Sequence, residues 1–293
     1  MDRTPHVLLD GVAFPEGPRW RDGELWFSDF ATGTVRSVDL AGTVTTQARI
    51  EGDNPSGIGF LPDGAPIVVS MNRRMAVRVD GDSLPVHGDL TAIGRDFLND
   101  MLVDEVGRAY VGTRTRAMLP AVEPLSDEVA DDTLVTVEPD GQVRVAASGL
   151  ISPNGMVVTA DGKALIVAET YAQRVSIFDR SSDGTLGTRR TFALTPGRYP
   201  DGICLDEEGA VWIGSPYSHE FIRVRQGGEI TDVIAMPGGV ACALGGPDGH
   251  TLFLLAVSPS RLPRITGASD EVVPPGGGCI ATLQVDAGRA GMQ

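Results

Sequence analysis

Four oxygen-bearing side chains occupy equivalent positions in a sequence motif that returns along the chain. Glu16 and Asp201 carry carboxylates, whereas Asn99 and Asn154 carry amide carbonyls. If the four meet at one point, they offer only oxygen ligands, which suits a hard divalent cation such as Ca²⁺, Mg²⁺ or Mn²⁺. Zn²⁺ normally prefers nitrogen or sulfur ligands but accepts carboxylates, so it stays among the candidates. The pattern therefore predicts one divalent metal cation bound by these four residues.

The motif that carries these residues is Pro-x-Gly, followed by an apolar strand-like run and a glycine turn. Intact copies lie at 15–17, 55–57, 153–155 and 200–202, and degenerate copies lie at 98–100 and 240–242. The turn glycines follow at positions 23, 64, 107, 162, 209 and 249. Ser56 and Ala241 occupy the two equivalent central positions that lack a carboxylate or an amide. A spacing of roughly 40–50 residues with several strands per unit is typical of a β-propeller blade.

The fourth copy shows the content of one unit. Strand-like segments at 155–159, 164–168, 174–179 and 188–194 are separated by turn sequences. The other copies repeat this pattern, and no segment has the periodicity of a long amphipathic helix. The sequence predicts an all-β fold, a six-bladed β-propeller with four-stranded blades, in a single domain over 1–293. Because an open ring would expose strand edges, the N-terminal strand at 6–9 is predicted to complete the last blade beside 279–286.

Blade topology indicates which loops surround the four ligands. In a four-stranded meander, the start of the first strand and the loop between the second and third strands lie at the same end. Two of these loops, 114–132 and 258–278, are long, and long loops in compact domains are often lids. The predicted substrate contacts on this face are Asn99, Asp100, Arg73, Arg114, Tyr171 and His219, and Asp29, Thr170 and Tyr217 are expected on the same rim. The alternative interpretation is that these are ordinary turn or surface residues, since Pro-x-Gly and Asp-Gly are common turn sequences.

Composition argues against several kinds of partner. The formal net charge is −15 and the pI is near 4.6, which argues against nucleic-acid binding and disfavours an anionic membrane surface. The three cysteines and four histidines are scattered without the spacing of metal ligands. No run approaches the ~18 apolar residues of a membrane span, and the N-terminal segment has too short an apolar core for a signal peptide. The cytoplasm is the expected compartment, and the sequence gives no indication of the oligomeric state.

Four motifs carry a resemblance to a known family. In chain order they are FPEGPRW at 14–20, LND at 98–100, SPNG at 152–155 and PDG at 200–202. Together they resemble the senescence-marker-protein/gluconolactonase/luciferin-regenerating-enzyme family of six-bladed propellers, over nearly the whole chain. The resemblance implies a divalent metal held by Glu16, Asn154 and Asp201, with Asn99 as a ligand or substrate contact. It also implies hydrolysis of a lactone or related ester, with Asp201 as the general base.

The chain departs from the family pattern at one position. Gluconolactonases that bind sugars often carry Arg two residues before the Asn of the Asn-Asp pair, where this chain has Phe97. With apolar Met101 and Met118 nearby in sequence, a less polar lactone or ester fits as well as a sugar lactone. Two other functions stay open. One is a non-catalytic ligand-binding propeller with a structural ion, and the other is a related propeller enzyme, such as an organophosphate hydrolase or a natural-product lyase or isomerase.

Overall fold

Six antiparallel sheets of four strands make up the fold. The structure is a computed structural model, and it describes residues 4–93, 97–114, 124–262 and 276–292. The first sheet contains β2 Pro15–Arg21, β3 Glu24–Asp29, β4 Thr34–Asp39 and β5 Val44–Arg49. The second contains β6 Pro55–Phe60, β7 Pro66–Ser70, β8 Met75–Arg78 and β9 Val86–Asp89. The third contains β10 Phe97–Val103, β11 Ala109–Arg114, β12 Asp132–Val137 and β13 Val143–Leu150.

The remaining three sheets repeat this order. The fourth contains β14 Pro153–Val158, β15 Ala164–Glu169, β16 Arg174–Asp179 and β17 Arg190–Leu194. The fifth contains β18 Ile203–Leu205, β19 Val211–Ser215, β20 Glu220–Val224 and β21 Ile230–Ala235. The sixth contains β22 Gly239–Gly245, β23 Thr251–Ala256, β24 Gly278–Gln284 and β1 His6–Val12. Short 3₁₀ helices in the described ranges lie at Phe30–Thr32, Thr91–Ile93, Asp127–Val129, Thr170–Ala172 and Pro259–Arg261.

The sheets are the blades of a closed ring. The inner strand of each blade contacts the inner strands of its two neighbours, in the order β2, β6, β10, β14, β18, β22 and back to β2. The last blade is completed by β1, which pairs antiparallel with β24. Both the six-bladed propeller and the N-terminal strand that closes its last blade are therefore confirmed. The central parts of the two long loops, 115–123 and 263–275, lie outside the described residues.

The apolar core is divided among the blade interfaces. Six clusters of buried apolar residues each combine side chains from two adjacent blades. Phe27 and Phe253, for example, belong to the cluster between the first and sixth blades, and Ile166 and Ile213 belong to the one between the fourth and fifth. Because every blade buries both of its faces, the ring positions its inner strands rigidly.

The two predicted kinds of turn have different outcomes. All six turn glycines, from Gly23 to Gly249, adopt positive φ, which glycine reaches without steric cost, so these hairpin turns are confirmed. The Pro-x-Gly copies at 15–17, 55–57 and 153–155 lie within inner strands, so the expectation that they are turns is wrong, whereas the copy at 200–202 precedes β18 and lies in no strand. One extra residue interrupts the pairing of the inner strand at this position in five blades, as between Glu16 and Arg19 or between Pro153 and Met156. These are β-bulges, which re-aim side chains and are common beside functional sites.

Buried carboxylates hold the segments that precede the bulges. Asp29 accepts hydrogen bonds from the backbone N–H groups of Ala13 and Phe14 at 3.3 and 2.9 Å. Glu169 likewise accepts from the Ile151 N–H at 2.9 Å. Both carboxylates satisfy buried backbone donors that would otherwise lack a partner. The expected place of Asp29 on the rim is therefore wrong, because its side chain is buried and serves the backbone.

The glycine after the central residue of an intact motif faces the backbone of the next blade. A Cβ at Gly155 would lie 2.5 Å from the backbone nitrogen of Ile203 and 2.7 Å from the carbonyl oxygen of Asp201. A Cβ at Gly57 would lie 2.2 Å from the backbone nitrogen of Met101. Only glycine allows the inner strands to approach this closely.

We expect Gly155→Ala to destabilise the protein by about 1–3 kcal/mol, because the added methyl group forces apart two backbones that cannot yield. Urea denaturation of purified variants measures the change. Gly187→Ala is the matched control, since a Cβ there would meet its nearest neighbour at 3.4 Å, an ordinary van der Waals contact. Equal stabilities of the two variants would contradict the close approach.

Candidate metal centre

A chain of hydrogen bonds links the inner strands around the channel. The Ser28 hydroxyl donates to the Ser56 carbonyl oxygen at 2.6 Å, and the Ser56 hydroxyl donates to the Asn99 carbonyl oxygen at 2.6 Å. The side-chain Nδ2 of Asn99 continues the series by donating to the Pro153 carbonyl oxygen at 3.0 Å. Each of these bonds crosses from one blade to the next, so the central residues of successive motifs lie side by side.

Asn154 connects the fourth blade to the fifth through its side chain. Its Nδ2 donates to Asp201 Oδ1 and also contacts Thr170 Oγ1 at 3.2 Å. Thr170 is fixed in turn by donating to the Pro200 carbonyl oxygen at 2.8 Å. The amide groups of Asn99 and Asn154 are thus both held by their nitrogens. In the part of the chain that the structure describes, neither amide oxygen takes part in a hydrogen bond, which leaves both oxygens available as ligands.

The two carboxylates of the predicted ligand set interact strongly with their surroundings. Burial raises the pKa of Glu16 well above its usual range, and the negative charges of Asp201 and Asp100 raise it further, while the Gly17 N–H lowers it. Burial also raises the pKa of Asp201 to about 7, with a further rise from Asp100. Arg114 and the hydrogen bond from Asn154 oppose that rise. Three carboxyl groups therefore share a site that disfavours their ionised forms, and a cation would favour them.

Asp100 is paired with an arginine as well as being close enough to Glu16 and Asp201 to raise the pKa of both. Its Oδ1 accepts from the Met101 N–H at 2.7 Å and lies 3.8 Å from Nη2 of Arg19. Burial raises the pKa of Asp100, and the charge of Arg19 and the Met101 N–H lower it. Arg19, which sequence analysis did not single out, also donates to the Met101 carbonyl oxygen. The position of Arg19 inside the FPEGPRW motif at 14–20 could have indicated that it belongs to the site.

Three tyrosines stand beside Asp201 on the rim. Tyr171 is buried, and its ring meets that of Tyr199 edge-on with centroids 6.4 Å apart. Tyr199 meets Tyr217 in the same manner at 5.1 Å. The Tyr171 hydroxyl hydrogen-bonds with Tyr217 and Arg114, and its pKa is raised, chiefly by burial. Sequence analysis missed Tyr199, although an aromatic residue directly before Pro-Asp-Gly could have drawn attention to it.

Arg73 and His219 lie apart from this cluster. Arg73 is exposed, and its guanidinium donates to the Glu51 carbonyl oxygen. His219 is also exposed, and its Nδ1 accepts from the Gly238 N–H at 3.4 Å. No contact between either side chain and the four predicted ligands is found within the described ranges. The predicted role of Arg73, His219, Arg114 and Tyr171 as substrate contacts stays a prediction. Of these four, the structure places Arg114 and Tyr171 near Asp201.

The donor chemistry fits a hard divalent cation. The residues at the channel mouth offer two carboxylates and two amide oxygens, and no nitrogen or sulfur ligand is among them. Across the described ranges there is no group of three or more His, Cys, Asp or Glu side chains that could hold a metal by themselves. A site here would depend on the amide oxygens, which both Ca²⁺ and Mg²⁺ accept. Among the described residues, no helix combines the length and apolar character needed to cross a membrane.

The fold places this protein among the six-bladed β-propellers. The family model described as SMP-30/Gluconolactonase/LRE-like region matches residues 14–258. The chain therefore belongs to this family.

Individual relatives extend over nearly the full length of the chain. Regucalcin from Oryctolagus cuniculus is 27% identical over 301 aligned positions, which cover 92% of this chain and 96% of that protein. Among solved structures, a gluconolactonase from Xanthomonas campestris superposes with a TM-score of 0.75 at 23% identity, covering 97% of this chain and 90% of its own. A calcium-binding protein, regucalcin, from Agrobacterium tumefaciens superposes with a TM-score of 0.77 at 20% identity, covering 99% and 96%. At these identities the structural likeness shows the fold.

Because burial and neighbouring charge raise the pKa of Asp201, we expect Asp201→Asn to change the thermal stability of the metal-free protein by an amount that depends on pH. The folded-state pKa of Asp201, about 7, exceeds the ordinary aspartate value of 3.8, so the folded chain binds the proton more tightly than the unfolded chain. Stability is therefore lost as the pH rises from about 4 to 7. We expect the neutral variant to melt roughly 2–5 °C above the parent at pH 8, with the difference vanishing near pH 4.

Differential scanning calorimetry in the presence of a chelator measures this difference across the pH range. Asp140→Asn is the matched control, because the Asp140 carboxylate lies on an exposed turn and accepts only the Gln142 N–H at 3.0 Å. If Asp201→Asn were less stable than the parent at pH 8, the ionised Asp201 carboxylate would not be destabilised by its surroundings, which would contradict the prediction.

Proposed function

We propose that the protein is a divalent-metal-dependent hydrolase that opens a lactone or cleaves a related ester. The observation that carries the proposal is the arrangement around Asn154, whose nitrogen is bonded to Asp201 and Thr170 while its oxygen stays available. Glu16, Asn154 and Asp201 would hold the cation, with Asn99 as a further oxygen donor. Gluconolactonase is among the family relatives, which supports the same chemistry.

A bound divalent cation would supply Lewis-acid polarisation of the substrate carbonyl and stabilisation of the developing oxyanion. The chain's own residues supply the proton transfers. Without a metal, burial and the charge of Asp100 raise the pKa of Asp201 to about 7; a bound cation would lower that pKa and keep the carboxylate ionised, which is the form that accepts a proton from water. It takes the proton of the attacking water and donates it to the leaving alkoxide. Asn154 donates to Oδ1 and so fixes the orientation of the carboxylate.

Substrate positioning is assigned to the wall beside Asp201. Arg114 offers a cationic donor, and it lies opposite the half-buried Phe97 in the pairing of β10 with β11. The tyrosine rings of Tyr171 and Tyr199 add apolar surface that keeps water from the reacting carbonyl. Met101 does not contribute to this surface, because it is fully buried between the second and third blades. Met118 lies outside the described residues.

A non-catalytic calcium-binding propeller is the second candidate, since the same oxygen donors would serve a structural ion. Regucalcin is among the relatives, and one structural neighbour carries the description of a calcium-binding protein. The arginine and tyrosines beside Asp201 favour the enzyme, because a purely structural ion needs no substrate wall. Turnover measurements separate the two functions.

We expect hydrolysis of a panel of γ- and δ-lactones that is abolished by a chelator and restored by adding back Ca²⁺, Mg²⁺, Mn²⁺ or Zn²⁺. Asp201→Asn should lower kcat about 100-fold or more, because it removes the proton acceptor. Glu16→Gln should weaken metal binding, which titration of the metal against activity measures. Turnover that survives the chelator, or no turnover of any lactone or ester, would contradict the proposal.

The matched control for both variants is Asp140→Asn, which should keep the parent's kcat and metal requirement. A thermal shift on adding the cation provides a readout besides activity, since a ligand that binds only the folded state raises Tm. A metal-induced shift without turnover of any substrate would instead favour the calcium-binding propeller.

Phe97 predicts a preference for the less polar substrates. We expect a γ-lactone with an alkyl side chain to show a kcat/KM about tenfold above that of a polyhydroxy δ-lactone, because an apolar contact discriminates by this amount. Phe97→Gln should reduce the difference in kcat/KM between the two lactones, because glutamine can form hydrogen bonds with the hydroxyl groups of the polyhydroxy lactone. Val86→Gln, which alters a half-exposed valine in the outer strand of the second blade, should leave the preference unchanged. A parent enzyme that prefers the polyhydroxy lactone would overturn the role of Phe97.

A further inference from the structure

A cavity lies at the end of the channel opposite the carboxylates of the candidate metal centre. Its volume is about 450 Å³, within the range of small-molecule sites. It is lined by the far ends of inner strands whose first residues form the candidate metal centre, together with part of the C-terminal segment. The residues that matter for its chemistry are Arg19, Trp20, Arg21, Phe60, Val103 and Arg289.

Positive charge is concentrated in this cavity. Three guanidinium groups line it, against one carboxylate, Asp22, which pairs with Arg21 Nε at 3.0 Å and is 85% exposed. In a protein with a formal net charge of −15, such a cluster of arginines stands out from the general charge balance. A solvent-exposed ion pair of this kind contributes little, so Asp22 does not neutralise the group.

Arg19 is the buried member of the cluster and is incompletely paired. Its residue surface is 6% exposed, and its Nε has no hydrogen-bond partner among the described residues. Its other nitrogens donate to the carbonyl oxygens of Pro18 and Met101. The one carboxylate paired with it in the described ranges, Asp100 Oδ1, lies 3.8 Å from Nη2, so the buried charge is only loosely neutralised, and an anion in the adjoining cavity would stabilise it.

The guanidinium groups also repel one another. The pKa of Arg19 is lowered, chiefly by burial, and the positive charge of Arg289 lowers it further, while Asp100 opposes the shift. Arg289 is itself held at the cavity by donating from Nη1 to the Trp20 carbonyl oxygen at 3.3 Å. An anion between these groups would relieve the repulsion.

Apolar surface accompanies the charge. The guanidinium of Arg21 lies over the ring of Phe60 at 4.4 Å from its centroid, and both residues line the cavity. Trp20 is stacked on Phe253 with centroids 5.1 Å apart. Val103 adds to the apolar lining of the cavity. An inorganic ion would not need such a lining, whereas the apolar part of an organic anion would contact it.

We propose that this cavity binds a small organic anion, with a carboxylate or phosphate group against Arg19, Arg21 and Arg289 and an apolar body against Trp20 and Phe60. The site is separate from the candidate metal centre, and the proposal does not rest on the hydrolase function. Arg114 and the three tyrosines of the metal centre belong to the other mouth of the channel.

The test is isothermal titration of the full-length protein with phenyl phosphate, benzoate, inorganic phosphate and the neutral benzyl alcohol. We expect saturable binding of phenyl phosphate, benzoate or both, with the tighter of the two identifying the preferred head group. Benzyl alcohol should not bind, and inorganic phosphate should bind at least tenfold more weakly than phenyl phosphate. Arg289→Gln and Arg21→Gln should each weaken binding about tenfold, because each removes a charge-assisted hydrogen bond.

Arg225→Gln is the matched control, since Arg225 is an exposed arginine that pairs with Glu229 at 3.3 Å on a turn of the fifth blade. It should leave binding unchanged, as should Glu16→Gln at the other mouth. Absence of saturable binding by either organic anion would overturn the proposal. The proposal would also be wrong if Glu16→Gln abolished binding while Arg289→Gln left it intact. If inorganic phosphate bound as tightly as phenyl phosphate, the apolar body would contribute nothing to binding, and the proposal of an organic anion would be wrong.

Discussion

The close approach of the inner strands at the channel is the constraint on which the rest of the structure depends. At Gly57 and Gly155 the backbone of the next blade occupies the space of a side chain. This proximity lets serine and asparagine side chains bond directly from one blade to the next. The same bonds orient the amide groups, so the packing that closes the ring also prepares the oxygen donors at its mouth.

Charge is distributed unevenly along the channel. Glu16, Asp100 and Asp201 crowd one end, where burial raises the pKa of each, and Arg19 and Arg289 lie toward the other. The pair formed by Arg19 and Asp100, at 3.8 Å, joins the two regions. The proposed cation site and the proposed anion site would therefore lie at opposite ends of one channel, each among side chains of the opposite charge.

Sequence alone was sufficient for the features that rest on local chemistry and regular spacing. The turn glycines and the repeat of the motif predicted six blades and the equivalence of Glu16, Asn99, Asn154 and Asp201. The same local chemistry misassigned Pro-x-Gly, because proline and glycine favour turns and bulges alike. The contacts of Arg19 with Met101 and of Tyr171 with Tyr199 could not be predicted, since they depend on side-chain directions between residues distant in sequence. For the same reason, the sequence could not distinguish Arg73 from Arg114.

The pairing of β1 with β24 has a consequence for biosynthesis. All the other described strands lie between these two in sequence, so during synthesis β1 receives its partner only after the whole intervening stretch of chain has been made. At typical rates of synthesis this delay is on the order of tens of seconds. Throughout that interval the nascent chain carries β1 unpaired and the ring open, and only the emergence of β24 allows the last blade to be completed.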